Sequence, residues 1–457
     1  MQNGFIFDLN RCTGCSACQI ACNLENEVSL PINWRRVLTF NESRIPDLPF
    51  YHLSQACNHC LHPPCMVSCP SLAIAKNTLT GAVVIEGGKC IGCGYCSWIC
   101  PYDAPKLNTQ NGVMEKCTLC QHRLEENLLP ACVALCPTSA LSFGMYEDDF
   151  SAPVAGFTIS NIKPAITLIP LRSEKPIMDE TVLPFDERTI KEFRENSKQQ
   201  PGRTKINWQA EWPLVIFTVL TALLTGLVTA RLLKGALLPD ILLPVLAAAG
   251  ILVSSLHLSK KRRAVRAILN WRHSWLSREI LSYAIFFLLL SAFIILFPAQ
   301  IWLGWLAIIP AYYTLWAIDK IYHSLPLRSQ SFQTANILLS ALYIAALLSD
   351  VLPAAVLFAA IKAVTYLAGQ IRYRDPFKPF TLLLIILRIF AGFAFPALIT
   401  TGIFPAGKLV MLVSLAFGEI IDRAQFYHEM ELITPEIQMK TDFEKRLREK
   451  LPVSKPS

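Results

Sequence analysis

The chain has 457 residues, 53% of them hydrophobic and only 17% charged, whereas a soluble globular protein carries about a quarter charged residues. The apolar excess falls in residues 211 to 427, so a lipid-embedded half is expected to follow an aqueous one. On so apolar a chain the net charge of +8 points to membrane-side loops and excludes a nucleic-acid interface as its reason.

The N-terminal stretch MQNGFIFDLNRCTGC shows no basic n-region, no apolar h-region and no twin arginine. A secretory signal is therefore not expected here, and a disulfide framework is not expected either. All 16 cysteines lie between Cys12 and Cys136, in four groups of four. The first is CTGCSACQIAC (Cys12, Cys15, Cys18, Cys22) and the second is CNHCLHPPCMVSC (Cys57, Cys60, Cys65, Cys69). The third is CIGCGYCSWICP (Cys90, Cys93, Cys96, Cys100), and the fourth is CTLCQHRLEENLLPACVALCP (Cys117, Cys120, Cys132, Cys136). A C-x2-C-x2-C run wraps three corners of a [4Fe-4S] cube from one loop, while a fourth Cys three residues on, often before Pro, serves a second cube. Groups one and three have that spacing, and Pro follows Cys69, Cys100 and Cys136. Structural zinc usually pairs two C-x2-C knuckles across a longer spacer, so four cubane clusters are expected. The groups must then pair two by two, and spacing leaves the pairing open. His59 and His62 are expected beside a cluster or at the surface rather than as ligands, because group two already supplies four cysteines.

Residues 151–210 are expected as a linker after a cluster domain of residues 1–150. From residue 211 eight apolar segments approach the length of a bilayer span, at 211–232, 237–258, 279–298, 301–318, 332–349, 351–370, 380–400 and 406–422. Cations crowd the side that both termini would share: Lys191, Arg194, Lys198, Arg203 and Lys205, then Lys260 to Arg266, Lys320, Arg328, the loop IRYRDPFKP, and the tail 428–457. The other side has Arg231, Lys234 and Lys408. The positive-inside rule then sets the cluster domain and the basic tail on the cytoplasmic face of a bacterial inner membrane. His257, His273, His323 and His428 all fall at segment ends or in loops, so no haem is expected. Within the segments, Lys362, Arg388 and Glu419, with Asp319 near an end, suggest a polar pocket or a proton path.

Motif and order together resemble two parts of one family. Residues 4 to 144, from GFIFDLNRCTGCSACQIAC through CIGCGYCSWICPYDAPKLN to KCTLCQHRLEENLLPACVALCPTSALSFG, resemble the electron-transfer subunits of bacterial dimethyl sulfoxide reductases. Residues 211 to 427 resemble the family's membrane anchor at EWPLVIFTV, HLSKKRRA, SWLSREI and FGEIIDRAQFY. In that family the two are separate chains; here they are joined. The resemblance implies an α+β polyferredoxin-like domain with four cubane clusters, followed by an all-α bundle of eight transmembrane helices. It also implies the pairing: Cys12, Cys15, Cys18 and Cys136 on one cube, and Cys22, Cys117, Cys120 and Cys132 on the next. Cys57, Cys60, Cys65 and Cys100 would hold the third cube, and Cys69, Cys90, Cys93 and Cys96 the fourth. The fourth is expected nearest the membrane, and the first nearest a separate catalytic subunit that carries the molybdopterin. Cys93, where some relatives lack a cysteine, implies a full cube.

The family anchor binds menaquinol through a His ending its second helix, an Arg six residues later and a Glu opening its third helix. Those spacings fall on His257, Arg263 and Glu279, and Arg388 joins them as a quinone candidate. A His of near-neutral pKa and a carboxylate can take the protons that quinol releases, while an Arg can anchor its oxygen. The turn HLSKKRRA is more basic than the family's. The cytoplasmic facing, and the linker GFTISNIKPAITLIPLRSEKP, suit relatives that work as sulfite dehydrogenases and pass electrons to quinone, so the direction of flow stays open. Two other functions fit the same residues: a redox-driven ion pump routed through Lys362, Arg388 and Glu419, and a metal-binding scaffold without electron transfer.

Overall fold

A computed structural model of the chain describes residues 2–45, 48–146, 154–157, 162–172, 206, 209–327, 337–373 and 379–450. The expected cations Lys191, Arg194, Lys198, Arg203, Lys205 and Arg328 lie outside the described residues, as do parts of the 156–176 and 371–379 loops and the tail beyond 450. Two compact units emerge: Met1–Thr204 together with Leu432–Ser457, and Lys205–Glu431.

The first unit is built on strand β1, Gln2–Asp8, whose alternation buries Phe5 and Phe7. Three hairpins follow: β2 (Arg36–Phe40) with β3 (Tyr51–Gln55), β4 (Ile74–Lys76) with β5 (Val83–Ile85), and β6 (Lys106–Asn108) with β7 (Val113–Glu115). Strand β8, Leu141–Tyr146, pairs antiparallel with β1, placing Phe143 opposite Phe5. Strand β9, Ile166–Ile169, runs parallel on the other edge of β1, with Ile166 opposite Phe5. The stretch expected as a linker thus completes the central sheet. Five short helices begin in or just after cysteine runs: α1 (Ala17–Glu25), α2 (Pro64–Val67), α3 (Tyr95–Trp98), α4 (Gln121–Glu125) and α5 (Ala131–Ala134).

The C-terminal segment, expected as a basic tail, is a helix over Pro435–Lys450 that packs into this unit. Its polar face is charged, but Met439 enters the main core and Leu447 packs with Ile45 and Leu48. Phe443 meets Phe40 edge-on with ring centroids 5.7 Å apart. Glu436 Oε1 accepts from Arg36 Nη1 at 2.5 Å, and Asp442 Oδ2 accepts from the Gly156 N–H at 2.8 Å.

The second unit is helical: α6 (Trp212–Lys234), α7 (Leu242–Ser255), a 3-10 turn over Lys261–Ile268, α8 (Trp275–Ser291), α9 (Ile301–His323), α10 (Ile337–Leu348), α11 (Leu352–Tyr373), α12 (Pro379–Ile389), α13 (Phe395–Thr400) and α14 (Lys408–Glu429). Short π-helical stretches extend α8 and join α12 to α13. Among the described residues five helices are long and apolar enough to cross a membrane: Trp212–Lys234, Trp275–Leu296, Ile301–His323, Leu352–Ile371 and Thr381–Thr400. Of the other three expected segments, α7 and α10 are apolar but have 14 and 12 residues, which reach only about 20 Å of a bilayer core about 30 Å thick. Helix α14 has 22 residues but carries Glu419, Asp422 and Arg423.

Because Met439 sits in the core of the first unit, Met439→Ala in the full chain should cost about 2–5 kcal/mol. The measurement is the urea midpoint for loss of near-UV circular dichroism; an unchanged midpoint would mean that the C-terminal helix adds nothing to this unit.

Candidate functional site

The first C-x-x-C turn of each cysteine group has one local geometry. The residue before the second cysteine has a left-handed backbone in each: Gly14 (φ 72°), His59 (φ 44°), Gly92 (φ 68°) and Leu119 (φ 63°). That conformation swings the residue's N–H back toward the first thiol. The Gly92 N–H lies 3.4 Å from Cys90 Sγ and the Leu119 N–H 3.4 Å from Cys117 Sγ. Glycine adopts it without penalty, whereas His59 and Leu119 hold it at a cost of about 1–2 kcal/mol each. Further donors reach the thiols: the Ala73 N–H to Cys69 Sγ at 3.3 Å and the Met114 N–H to Cys90 Sγ at 3.5 Å.

His59 is buried, and its Nδ1 accepts the Val83 N–H at 2.9 Å. Burial, and then the positive charges of Lys116, Arg35 and Lys76, hold it well below the ordinary imidazole range, so the ring is neutral with its proton on Nε2. His62 is exposed. The role of His59 in shaping a cysteine turn was missed in the sequence, although its register with Gly14, Gly92 and Leu119 was there to be seen.

The thiols gather across groups. Cys57, Cys60 and Cys65 of the second group line one cavity with Cys100 of the third, together with Lys116, Pro101 and Tyr102. Burial pushes the Cys60 thiol up, and the neighbours that add to it are Cys57, Cys100 and Cys65. Burial raises Cys93 to about 12, with Cys69 and Cys90 beside it. Cys12 is raised by burial, with Cys18, Cys136 and Cys15 as its thiol neighbours. Cys22 rises to about 12 through burial, opposed by Arg35 and reinforced by Cys132 and Cys120. Asn26 Nδ2 lies 3.9 Å from Cys22 Sγ and 3.7 Å from Cys120 Sγ. Fourth-group thiols therefore neighbour first-group thiols, and third-group thiols neighbour second-group ones.

Among the described residues no three His, Cys, Asp or Glu side chains converge on a single metal-ion position; a cubane spreads four thiolates over four irons. Buried polar atoms without a protein partner lie in this unit too, and most are donors, among them Trp34 Nε1, Arg35 Nε and Nη2, Asn58 Nδ2 and His59 Nε2. Clustered thiols, N–H groups turned onto sulfur and unsatisfied buried donors fit an acceptor-rich iron–sulfur cluster.

In the helical unit, Glu279 is 6% exposed on α8, and its charged neighbour is Arg423 of α14. The Arg423 guanidinium lies over Tyr322 (5.2 Å) and Phe426 (4.9 Å), and its Nε and Nη2 have no protein partner. Tyr322 and Tyr427 join hydroxyl to hydroxyl. Asp319 is buried beside the same guanidinium rather than solvated at an interface. His257 follows α7, half-buried, with Nδ1 unpartnered, and Arg263 lies half-buried on the 3-10 turn. Arg388 is engaged elsewhere. Its Nη2 donates to Glu419 Oε1 at 2.9 Å and Asp422 Oδ2 at 3.3 Å, while Lys362 Nζ donates to Glu419 and to Ser340 Oγ. Lys362 and Arg388 are both fully buried, and a Cβ on Gly392 would collide with the guanidinium. Arg423, absent from the sequence expectations, carried no signal there beyond its place in FGEIIDRAQFY.

Residues 48–146 match a family described as a 4Fe-4S dicluster domain. Over 198 residues the sequence is 37% identical to a component of the anaerobic dimethyl sulfoxide reductase of Escherichia coli, covering 39% of this chain and 94% of that one. It is 34% identical over 208 residues to a component of the sulfite dehydrogenase of Allochromatium vinosum, covering 39% and 87%. With a component of the tetrathionate reductase of Salmonella typhimurium it shares 37% identity over 151 residues, covering 32% and 59%.

The buried ion network makes its own prediction. Glu419→Gln leaves Lys362 facing fewer negative charges, and a broken buried pair costs about 3–5 kcal/mol. The variant should lose thermal stability in detergent, read as earlier aggregation on heating; native stability would mean that the network holds nothing together.

Proposed function

Because this protein belongs to the dimethyl sulfoxide reductase-type iron–sulfur subunits, we propose that it is both the electron-transfer subunit and the membrane anchor of a molybdopterin oxidoreductase complex. It passes electrons between membrane quinone and a separate catalytic subunit. The observation that carries this reading is the cavity where Cys100 meets Cys57, Cys60 and Cys65, in a chain whose other unit has five helices able to cross a membrane.

Four [4Fe-4S] clusters would be held by four quartets. Cys12, Cys15, Cys18 and Cys136 form one, Cys22, Cys117, Cys120 and Cys132 the second, Cys57, Cys60, Cys65 and Cys100 the third, and Cys69, Cys90, Cys93 and Cys96 the fourth. The thiol neighbourhoods above support this division. When bound, the clusters supply one-electron relay sites. The protein keeps the thiols dry, aims N–H groups at sulfur and brings distant chain segments together.

Quinol oxidation releases two protons for each two electrons, so its site must take protons as electrons leave. Glu279 is suited to one of them, as a buried carboxylate with Arg423 beside it. His257 is suited to the other, and Arg263 to a quinone oxygen. Arg388 is spoken for by Glu419 and Asp422 and stays with that network. The cations of Lys260 to Arg266 favour a cytoplasmic facing for this loop. The relatives include proteins named as reductases and one named as a dehydrogenase. A relay of this kind runs either way, and the potential of the catalytic partner sets the direction.

His257→Ala and Glu279→Gln should each slow reduction of the protein by menaquinol about 10²-fold or more, with iron content and dithionite-reduced EPR spectra retained. Stopped-flow bleaching at visible wavelengths reads the rate, and native rates in both variants would sink the site.

A further inference from the structure

Arg35 and Lys116 are the buried cations of the cysteine-rich unit among the described residues, 1% and 3% exposed. Neither has a carboxylate partner there. Arg35 Nη1 donates to Ser54 Oγ at 2.9 Å, and that hydroxyl lies 3.4 Å from Cys18 Sγ. The guanidinium rests over the Phe5 ring at 4.7 Å, and its Nε and Nη2 have no protein partner. Its charged surroundings are thiols: Cys132, Cys117, Cys18 and Cys22. Lys116 Nζ donates to the carbonyls of Val83 and Cys117, and its charged surroundings are Cys57, Cys65 and Cys117.

A buried cation without a counter-charge costs several kcal/mol, so a fold retains one where something negative meets it. Four thiolates on a cubane core leave a net charge of about −2, and about −3 after one electron is added. Arg35 touches the surroundings of two quartets, those of Cys18 and of Cys22, Cys117 and Cys132. Lys116 likewise stands between Cys57 and Cys65 on one side and Cys117 on the other. The charged neighbours of Cys93 and Cys96, by contrast, are thiols, Cys65, Cys69 and Cys90 among them.

We infer that Arg35 and Lys116 are fixed counter-charges at two successive junctions of the cluster chain, where each stabilises the added electron on the clusters to either side and so sets their reduction potentials. The inference rests on the cluster assignment proposed above. The step is a one-electron transfer with no proton: a neighbouring reduced cluster, or quinol at the end of the chain, gives up the electron that the cluster gains, and the cation beside it lowers the energy of the extra negative charge in a low-dielectric interior. The free Nε–H and Nη2–H of Arg35 add N–H···S donors, which act in the same direction.

The test is a potentiometric EPR titration of the full chain, each signal assigned by its loss in a matching Cys→Ser variant. Arg35→Gln should lower the midpoints of the Cys18 and Cys22 clusters and leave that of the Cys93 cluster unmoved. Lys116→Gln should lower those of the Cys22 and Cys57 clusters, again sparing the Cys93 cluster. Unmoved midpoints with iron and acid-labile sulfide intact would overturn the inference, as would an equal fall in all four. If Arg35→Gln loses iron, Arg35→Lys decides: near-native midpoints support the charge, and lowered midpoints despite the retained charge reject it. A native chain purified anaerobically without iron would remove the cluster assignment itself, a failure that iron analysis separates from the others.

Discussion

Lys362 and Arg388 stand fully buried among apolar helices because Glu419 and Asp422 reach them from α14. Charge removed from water has to be met by opposite charge or by hydrogen bonds, and little else in the interior can meet it. The same constraint governs the cysteine-rich unit in another form. There the buried cations are Arg35 and Lys116, no carboxylate meets them among the described residues, and thiols surround them. Two solutions to one electrostatic problem thus mark two uses of the interior. A network of two cations and two carboxylates ties α11, α12 and α14 together, whereas the cations of the cysteine-rich unit lie among thiols.

Local backbone conformation serves the same end. The first C-x-x-C turn of each group bends through a left-handed residue, and at Gly92 and Leu119 the N–H of that residue faces sulfur. Two of the four turns use glycine, and two accept strain at His59 and Leu119. At His59 the side chain has further work, since its Nδ1 takes the Val83 N–H and so fixes β5 against the second cysteine turn. The short helices that start near the cysteines present later thiols to earlier ones, and the central sheet of β8, β1 and β9 holds the two ends of this unit together.

Much of this was legible in residue order. Cysteine spacing is a local constraint, since three thiols eleven or fewer residues apart can reach one cube whatever the rest of the chain does. Bilayer length is similarly local, and apolar runs at 211–232 and 301–318 became α6 and α9. Shorter runs were less informative: 237–258 holds a helix of 14 residues and then a turn, because Leu256 to Lys260 leave the helix before the span is complete. The segment 428–457 read as a basic tail, and the three apolar side chains at Met439, Phe443 and Leu447 give its helix a face that packs. Charge drew attention away from that spacing.

What the sequence determined by itself is the chemistry available: sixteen cysteines in four sulfur-rich turns, and a second half too apolar to stay in water. Both follow from neighbours along the chain. Which thiols face one another, that Arg35 and Lys116 lie among them, that Glu279 meets Arg423, and that Arg388 is bound to Glu419 were decided only by tertiary structure. Those pairs come from segments far apart along the chain or from different helices, and no local preference of either partner encodes the other. Burial makes each pair obligatory, because an unmatched charge in the interior costs more than the chain can leave unmet.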